Sequence, residues 1–144
     1  MRLRLGALSG LLLAIGLAAC GPQADPDTDV RVPVDGGGQY TDITPARLAG
    51  MLEDKDFSLV NVHVPYEGEI DETDLFIPFD QIGERLDELP PPEAKIVLYC
   101  RSGSMSAIAA RELVAAGYTA VWNLDGGMNA WRAQGYPIQE RPPG

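Results

Sequence analysis

Positive charge and metal-ligating side chains are what this chain has least of. Eleven Lys and Arg stand against 21 Asp and Glu, a formal net charge of −10 at pH 7. Such a surface repels the phosphate backbone, so no nucleic acid partner is expected. There is one histidine, His63, and there are two cysteines, Cys20 and Cys100. One histidine and one usable cysteine do not make a closed zinc set, so no metal is expected. No cofactor is expected either. If Cys20 sits at a mobile terminus, pairing it with Cys100 has little structural purpose, so no disulfide framework is expected. The uncharged run from Leu5 to Ala19 falls short of the about 20 residues of a comfortable membrane span.

That run has another reading. Arg2 and Arg4 precede it, and Leu17-Ala18-Ala19-Cys20 closes it. A basic start, an apolar centre and small residues at the end suit a secretory signal. The closing tetrad resembles the lipobox of bacterial lipoproteins. The resemblance implies a signal peptide over 1–19, lipidation of Cys20 and a new N-terminus there. The expected location is then the cell envelope, lipid-anchored and extracytoplasmic, with the lipid bilayer as a partner. Gly21 at the second mature position implies the periplasmic face of the outer membrane if the source is Gram-negative.

Residues 20–39 read as a lipidated cysteine and flexible tether. They carry Pro22, Pro26, Pro33 and Gly36-Gly37-Gly38 and show no apolar period. A single folded domain is expected over 40–140. Thr44-Pro45 reads as helix cap and first helical residue, with a helix over Ala46–Asp54. Phe57–His63 reads as a buried strand and Leu75–Phe79 as a short one. Asp80–Leu89 reads as a helix stopped by Pro90-Pro91-Pro92. Lys95–Tyr99 is a strand, Ser104–Ala116 a helix ending at Gly117, Ala120–Leu124 a strand and Met128–Gln134 a short helix. Trp122 and Trp131 suit the core. Alternating strands and helices predict an α/β fold with a mostly parallel central sheet flanked by helices on both faces.

Cys100 stands at the end of a strand, before the polar loop Arg101-Ser102-Gly103-Ser104-Met105-Ser106 and a helix start. Reactive groups in such sheets lie beyond the carboxyl ends of strands. Loop N–H groups and the positive end of a helix favour an anion on sulfur, whether thiolate or persulfide. Arg101 could add a positive charge beside an anionic donor or point to solvent. Ser102, Ser104 and Ser106 offer hydroxyl donors, with Ser104 or Ser106 also suited to cap the helix. Gly103 suits a backbone shape that other residues resist.

The run Ile96–Gly103, followed by Ser106, Ala109-Ala110, Leu113, Gly117-Tyr118, Val121, Leu124, Asp125-Gly126-Gly127 and Trp131, resembles a rhodanese-homology domain. The resemblance covers Tyr40 to Ile138. It implies a rhodanese-like fold and a sulfurtransferase in which Cys100 takes sulfane sulfur, becomes a persulfide and passes the sulfur to a thiophilic acceptor. Its partners would be a small sulfur donor, a thiol or cyanide acceptor, and a redox or sulfur-relay protein as a candidate. The loop 101–106 would cradle the persulfide.

The chain departs from the pattern. Met105 stands where many single-domain rhodaneses carry a basic residue, which points away from thiosulfate dianion toward a softer or less charged donor. Asn61-Val62-His63 replaces Asp-Val-Arg, and Gly68-Glu69-Ile70 replaces Gly-His-Ile. Glu67 lies near the family's acidic position. These changes keep a second function open, a non-catalytic rhodanese-like sulfur carrier or partner-binding module. A phosphatase is disfavoured, because the position six after Cys100 is Ser106 rather than a phosphate-gripping arginine. His63 reads as structural or surface, since nothing in the spacing brings it to Cys100 with an orienting third group. Tyr66 and Phe76 could wall a pocket or simply pack.

Overall fold

The computed structural model describes residues 28–140, so the signal peptide expected over 1–19 and the lipidation expected at Cys20 fall outside the described residues. Six strands form one sheet in the order β1-β2-β6-β5-β3-β4. The strands are β1 (Val30–Pro33), β2 (Gln39–Ile43), β3 (Ser58–Asn61), β4 (Leu75–Phe76), β5 (Ile96–Tyr99) and β6 (Val121–Leu124). All neighbours are parallel except β1 and β2, which form an antiparallel hairpin.

Central β5 is buried along its whole length, as its unbroken apolar run requires of a strand covered on both faces. Its side chains alternate between two cores. Ile96, Leu98 and Cys100 face one side with Val60, Val62, Ile82, Ala109, Ala110 and Leu113. Val97 and Tyr99 face the other with Leu48, Leu59, Leu124, Met128 and Trp131. The helix α2 (Ser104–Ala115) covers the first face, while α1 (Pro45–Leu52) and α3 (Gly127–Ala133) cover the second. The expected α/β architecture with helices on both faces is therefore the observed one. Trp131 is buried in the second core and Trp122 is packed at its edge.

The helix boundaries follow their caps. The Thr44 hydroxyl accepts from the Arg47 N–H at 3.1 Å, with Pro45 at the first helical position. At the far end of α2, Gly117 has φ +98° and the Tyr118 N–H reaches the Leu113 carbonyl at 3.0 Å, closing the helix as expected.

Two expectations are corrected. Strand β1 lies inside the stretch 20–39 read as a tether, so the sheet includes residues from Val30 onward. Val32 and Val34 pack on the first core while Gly36–Gly38 turn the chain back, which is enough to seat an edge strand only four residues long. The segment Asp80–Leu89 is not one α-helix. It forms two 3₁₀ turns, Phe79–Glu84 and Leu86–Glu88. Ile82 and Leu89 are still buried, but Gly83 sits against the carboxylate end of the Glu112 side chain of α2, which a Cβ would displace. That close approach and a helix-weakening glycine favour the tighter, shorter turns.

Candidate active site

Cys100 is the first residue after β5, and its side chain is 1% exposed. The chain then turns through Arg101 and Ser102 into Gly103, which has φ +92° and caps α2. The Gly103 N–H points back at Cys100 Sγ, 3.1 Å away, and the left-handed step at Gly103 then turns the chain into α2. A Cβ on Gly103 would meet the Gly126 nitrogen at 3.0 Å, so the loop is also pressed onto its neighbour. From the first turn of α2, the buried Ser106 hydroxyl lies 3.4 Å from Sγ and 3.2 Å from the Gly103 carbonyl. Its single proton is shared between the two.

Neither Ser104 nor Ser106 caps α2, contrary to expectation. Gly103 occupies the cap without a side-chain bond, Ser104 is the first helical residue, and its exposed hydroxyl shares a 2.9 Å hydrogen bond with Ser102. Met105 is half-buried and packs on the core that contains Cys100.

The sulfur loop rests on the start of α3. The Met128 and Asn129 N–H groups donate to the carbonyls of Cys100 and Arg101, both at 2.9 Å. Gly127 has φ +55°, and a Cβ there would collide with the Cys100 carbonyl. Asp125-Gly126-Gly127 is thus more than a turn: its missing side chains let α3 approach the sulfur loop. The sequence carried the signal in a double glycine one residue after a strand.

A second loop meets the first. Asn61, at the end of β3, is fully buried; its amide donates to the Gly68 carbonyl and its Oδ1 accepts from the His63 N–H, both at 3.0 Å. This is the structural-support role expected of the position. His63 is 3% exposed, and its Nε2 lies 2.9 Å from Glu67 Oε2. Glu67 in turn accepts from Arg101 Nη1, at 3.2 and 3.3 Å to its two oxygens. Arg101 is therefore tied to a carboxylate 34 positions away. His63 is structural, as expected, and among the described residues the sulfur's hydrogen-bond partners are Gly103 and Ser106. Glu67 was the residue whose role the sequence left unassigned.

Farther along this second loop, the Tyr99 hydroxyl accepts from the Ile70 N–H at 3.0 Å and shares a 2.7 Å bond with the Thr73 hydroxyl. Burial raises the Tyr99 phenol above its ordinary range, so it serves as a neutral hydrogen-bonding group. Tyr66 packs edge-on to Phe76, with centroids 5.4 Å apart. Tyr66, Glu67, Gly68 and Glu140 line a shallow depression beside the Arg101 pair. Three or more metal-ligating side chains come together nowhere among the described residues.

Comparison with known proteins agrees with this geometry. The rhodanese-like domain family matches residues 44–134. A sulfurtransferase of Allochromatium vinosum is 37% identical over 91 residues, covering 61% of this chain and 83% of that protein. The tRNA uridine(34) hydroxylase of Escherichia coli is 28% identical over 127 residues, but the match spans only 36% of its length. Among solved structures, a rhodanese-like domain protein from Staphylococcus aureus superimposes with a TM-score of 0.57 at 33% identity, covering 68% of this chain and 97% of its own.

Proposed function

This chain belongs to the rhodanese-like domain family, and on that premise we propose that it is a sulfurtransferase working through a persulfide on Cys100. The observation that carries the reading is the pair of donors, Gly103 N–H and Ser106 Oγ, converging on one buried sulfur at a strand end. Hydrogen-bond donors fixed in a water-poor site stabilise charge that accumulates on the atom they face.

The Cys100 thiolate attacks the sulfane sulfur of a donor. A new S–S bond forms at Sγ, and the donor's own bond to that sulfur breaks, with the electron pair leaving on the donor remnant. The terminal sulfur of the persulfide is then attacked by a thiol or cyanide acceptor, which takes it and returns the bonding pair to Cys100. The burial of Cys100 favours a second reading, a carrier that holds sulfur for a protein partner without rapid turnover. Under the same proposal, the domain hangs from a membrane by a lipidated Cys20 on its extracytoplasmic side.

Intact-mass spectrometry on the membrane-extracted full-length protein tests both parts. Treatment with polysulfide is expected to add one sulfur, and Cys100→Ser is expected to abolish the gain. No gain in the unaltered chain would sink the persulfide reading. The untreated mass reads acylation, which Cys20→Ala is expected to remove. Multiple turnovers with cyanide or a small thiol distinguish an enzyme from a carrier.

A further inference from the structure

The sulfur loop contains one basic residue, Arg101, and the structure pairs it with a carboxylate of the second loop at the exposed rim. Both oxygens of Glu67 lie within 3.3 Å of Arg101 Nη1. Glu67 is not a loose rim carboxylate. Its Oε2 is held by the Nε2 of nearly buried His63, whose own backbone N–H is held by buried Asn61. A donor seeking the guanidinium must compete with a partner already anchored through this chain of contacts. A second carboxylate, Glu140, lines the same depression as Glu67 and adds to the negative charge on that side. Met105, half-buried against the core that contains Cys100, adds no charge to the loop.

We propose that Glu67 determines donor choice: by occupying Arg101 it turns the site away from doubly charged oxysulfur anions and toward organic persulfides, R–S–SH. The inference rests on the sulfurtransferase reading of Cys100 and names the substrate class of that same site. In the loading step the Cys100 thiolate attacks the outer sulfur of R–S–SH. The Cys100–sulfur bond forms, the donor S–S bond breaks, and R–S⁻ departs with the electron pair. The proton of the transferred sulfur passes to that thiolate, giving R–SH and a persulfide anion on Cys100. Sulfur is exchanged between two thiols, so no external oxidant or reductant enters. A thiosulfate dianion undergoing the same displacement would bring two negative charges to a mouth whose cation is already paired. Charge complementarity of this kind acts on selection between partners more than on the chemistry itself.

The test measures the rate of sulfur loading on Cys100 of the full-length protein by intact mass. The two donors are thiosulfate and the hydropersulfide of an uncharged alkyl thiol, and the readout is the ratio of their rates. In Glu67→Gln the ratio is expected to move about tenfold toward thiosulfate, and raising the salt concentration is expected to shrink the shift. Adding Arg101→Ala to that variant is expected to cancel it. A ratio that stays put, or moves toward the hydropersulfide, overturns the proposal. So does a selective loss of thiosulfate loading in Arg101→Ala alone, because the guanidinium would then already serve the donor; this variant also covers a Glu67→Gln chain that fails to fold. Loading by neither donor in the unaltered protein would instead remove the underlying sulfurtransferase reading.

Discussion

The loop after β5 is fastened by main chain, and the loop after β3 is fastened by side chains. In the first, the carbonyls of Cys100 and Arg101 are taken by N–H groups of α3, and the Gly103 N–H is given to sulfur. Only glycine permits those approaches. In the second, Asn61, His63, Glu67 and the Tyr99 hydroxyl do the holding. Main-chain fastening tolerates changes in outward side chains but not the arrival of a Cβ. Side-chain fastening can be rewired one residue at a time. Three of the four departures from the resembled pattern, Asn61, His63 and Glu69, fall there, and the fourth, Met105, is a side-chain change in the first loop that leaves its main chain alone.

The largest effect is expected from Gly127→Ala. The new methyl collides with the Cys100 carbonyl, and the backbone there is already left-handed. A loss of about 3 kcal/mol is expected, visible as a thermal midpoint lower by roughly 10 °C. A midpoint within two degrees of the unaltered chain would mean that the main-chain bed under the sulfur loop is soft, and the contrast between the loops would fail.

That bed was only partly legible in the sequence. The apolar run, the Gly/Ser loop and the helix after it are local signals, so the position of Cys100 could be read directly. The contact of Gly127 with Cys100 joins residues far apart in the chain, and only the parallel pairing of β5 with β6 brings them together. The link from Arg101 to Glu67 was hidden for the same reason. Ile82 and Leu89 are buried and Leu86 packs beside them, but that spacing does not separate an α-helix from 3₁₀ turns. Strand β1 was missed because four residues between prolines and glycines give no period to detect.

Tyr99→Phe comes next. It strips the second loop of its anchor while leaving the sulfur loop's main chain alone. The Ile70 N–H and the Thr73 hydroxyl lose their common partner. An unfolding free energy lower by about 1–3 kcal/mol is expected in urea titration. The polysulfide loading rate should fall less than in proportion. If loading collapses instead, the two loops are one mechanical unit.

Ser106→Ala is the mildest and sharpens the comparison from the other side. It deletes the side-chain donor on sulfur and keeps the main-chain donor from Gly103. Sulfur loading on Cys100 is expected to slow about fivefold, the worth of one modest hydrogen bond. A hundredfold fall would show that the hydroxyl, not the backbone, carries the charge.

The way α3 docks under the sulfur loop has an electrostatic corollary. Lone pairs repel an electron-rich sulfur as firmly as amide hydrogens attract it. The oxygens of residues 100 and 101 are drawn off by α3, and that of Gly103 by Ala107 and Ser106. The surroundings of Cys100 Sγ are thus made electropositive by subtraction as well as by addition. A helix that never touches the sulfur thereby governs the potential it experiences.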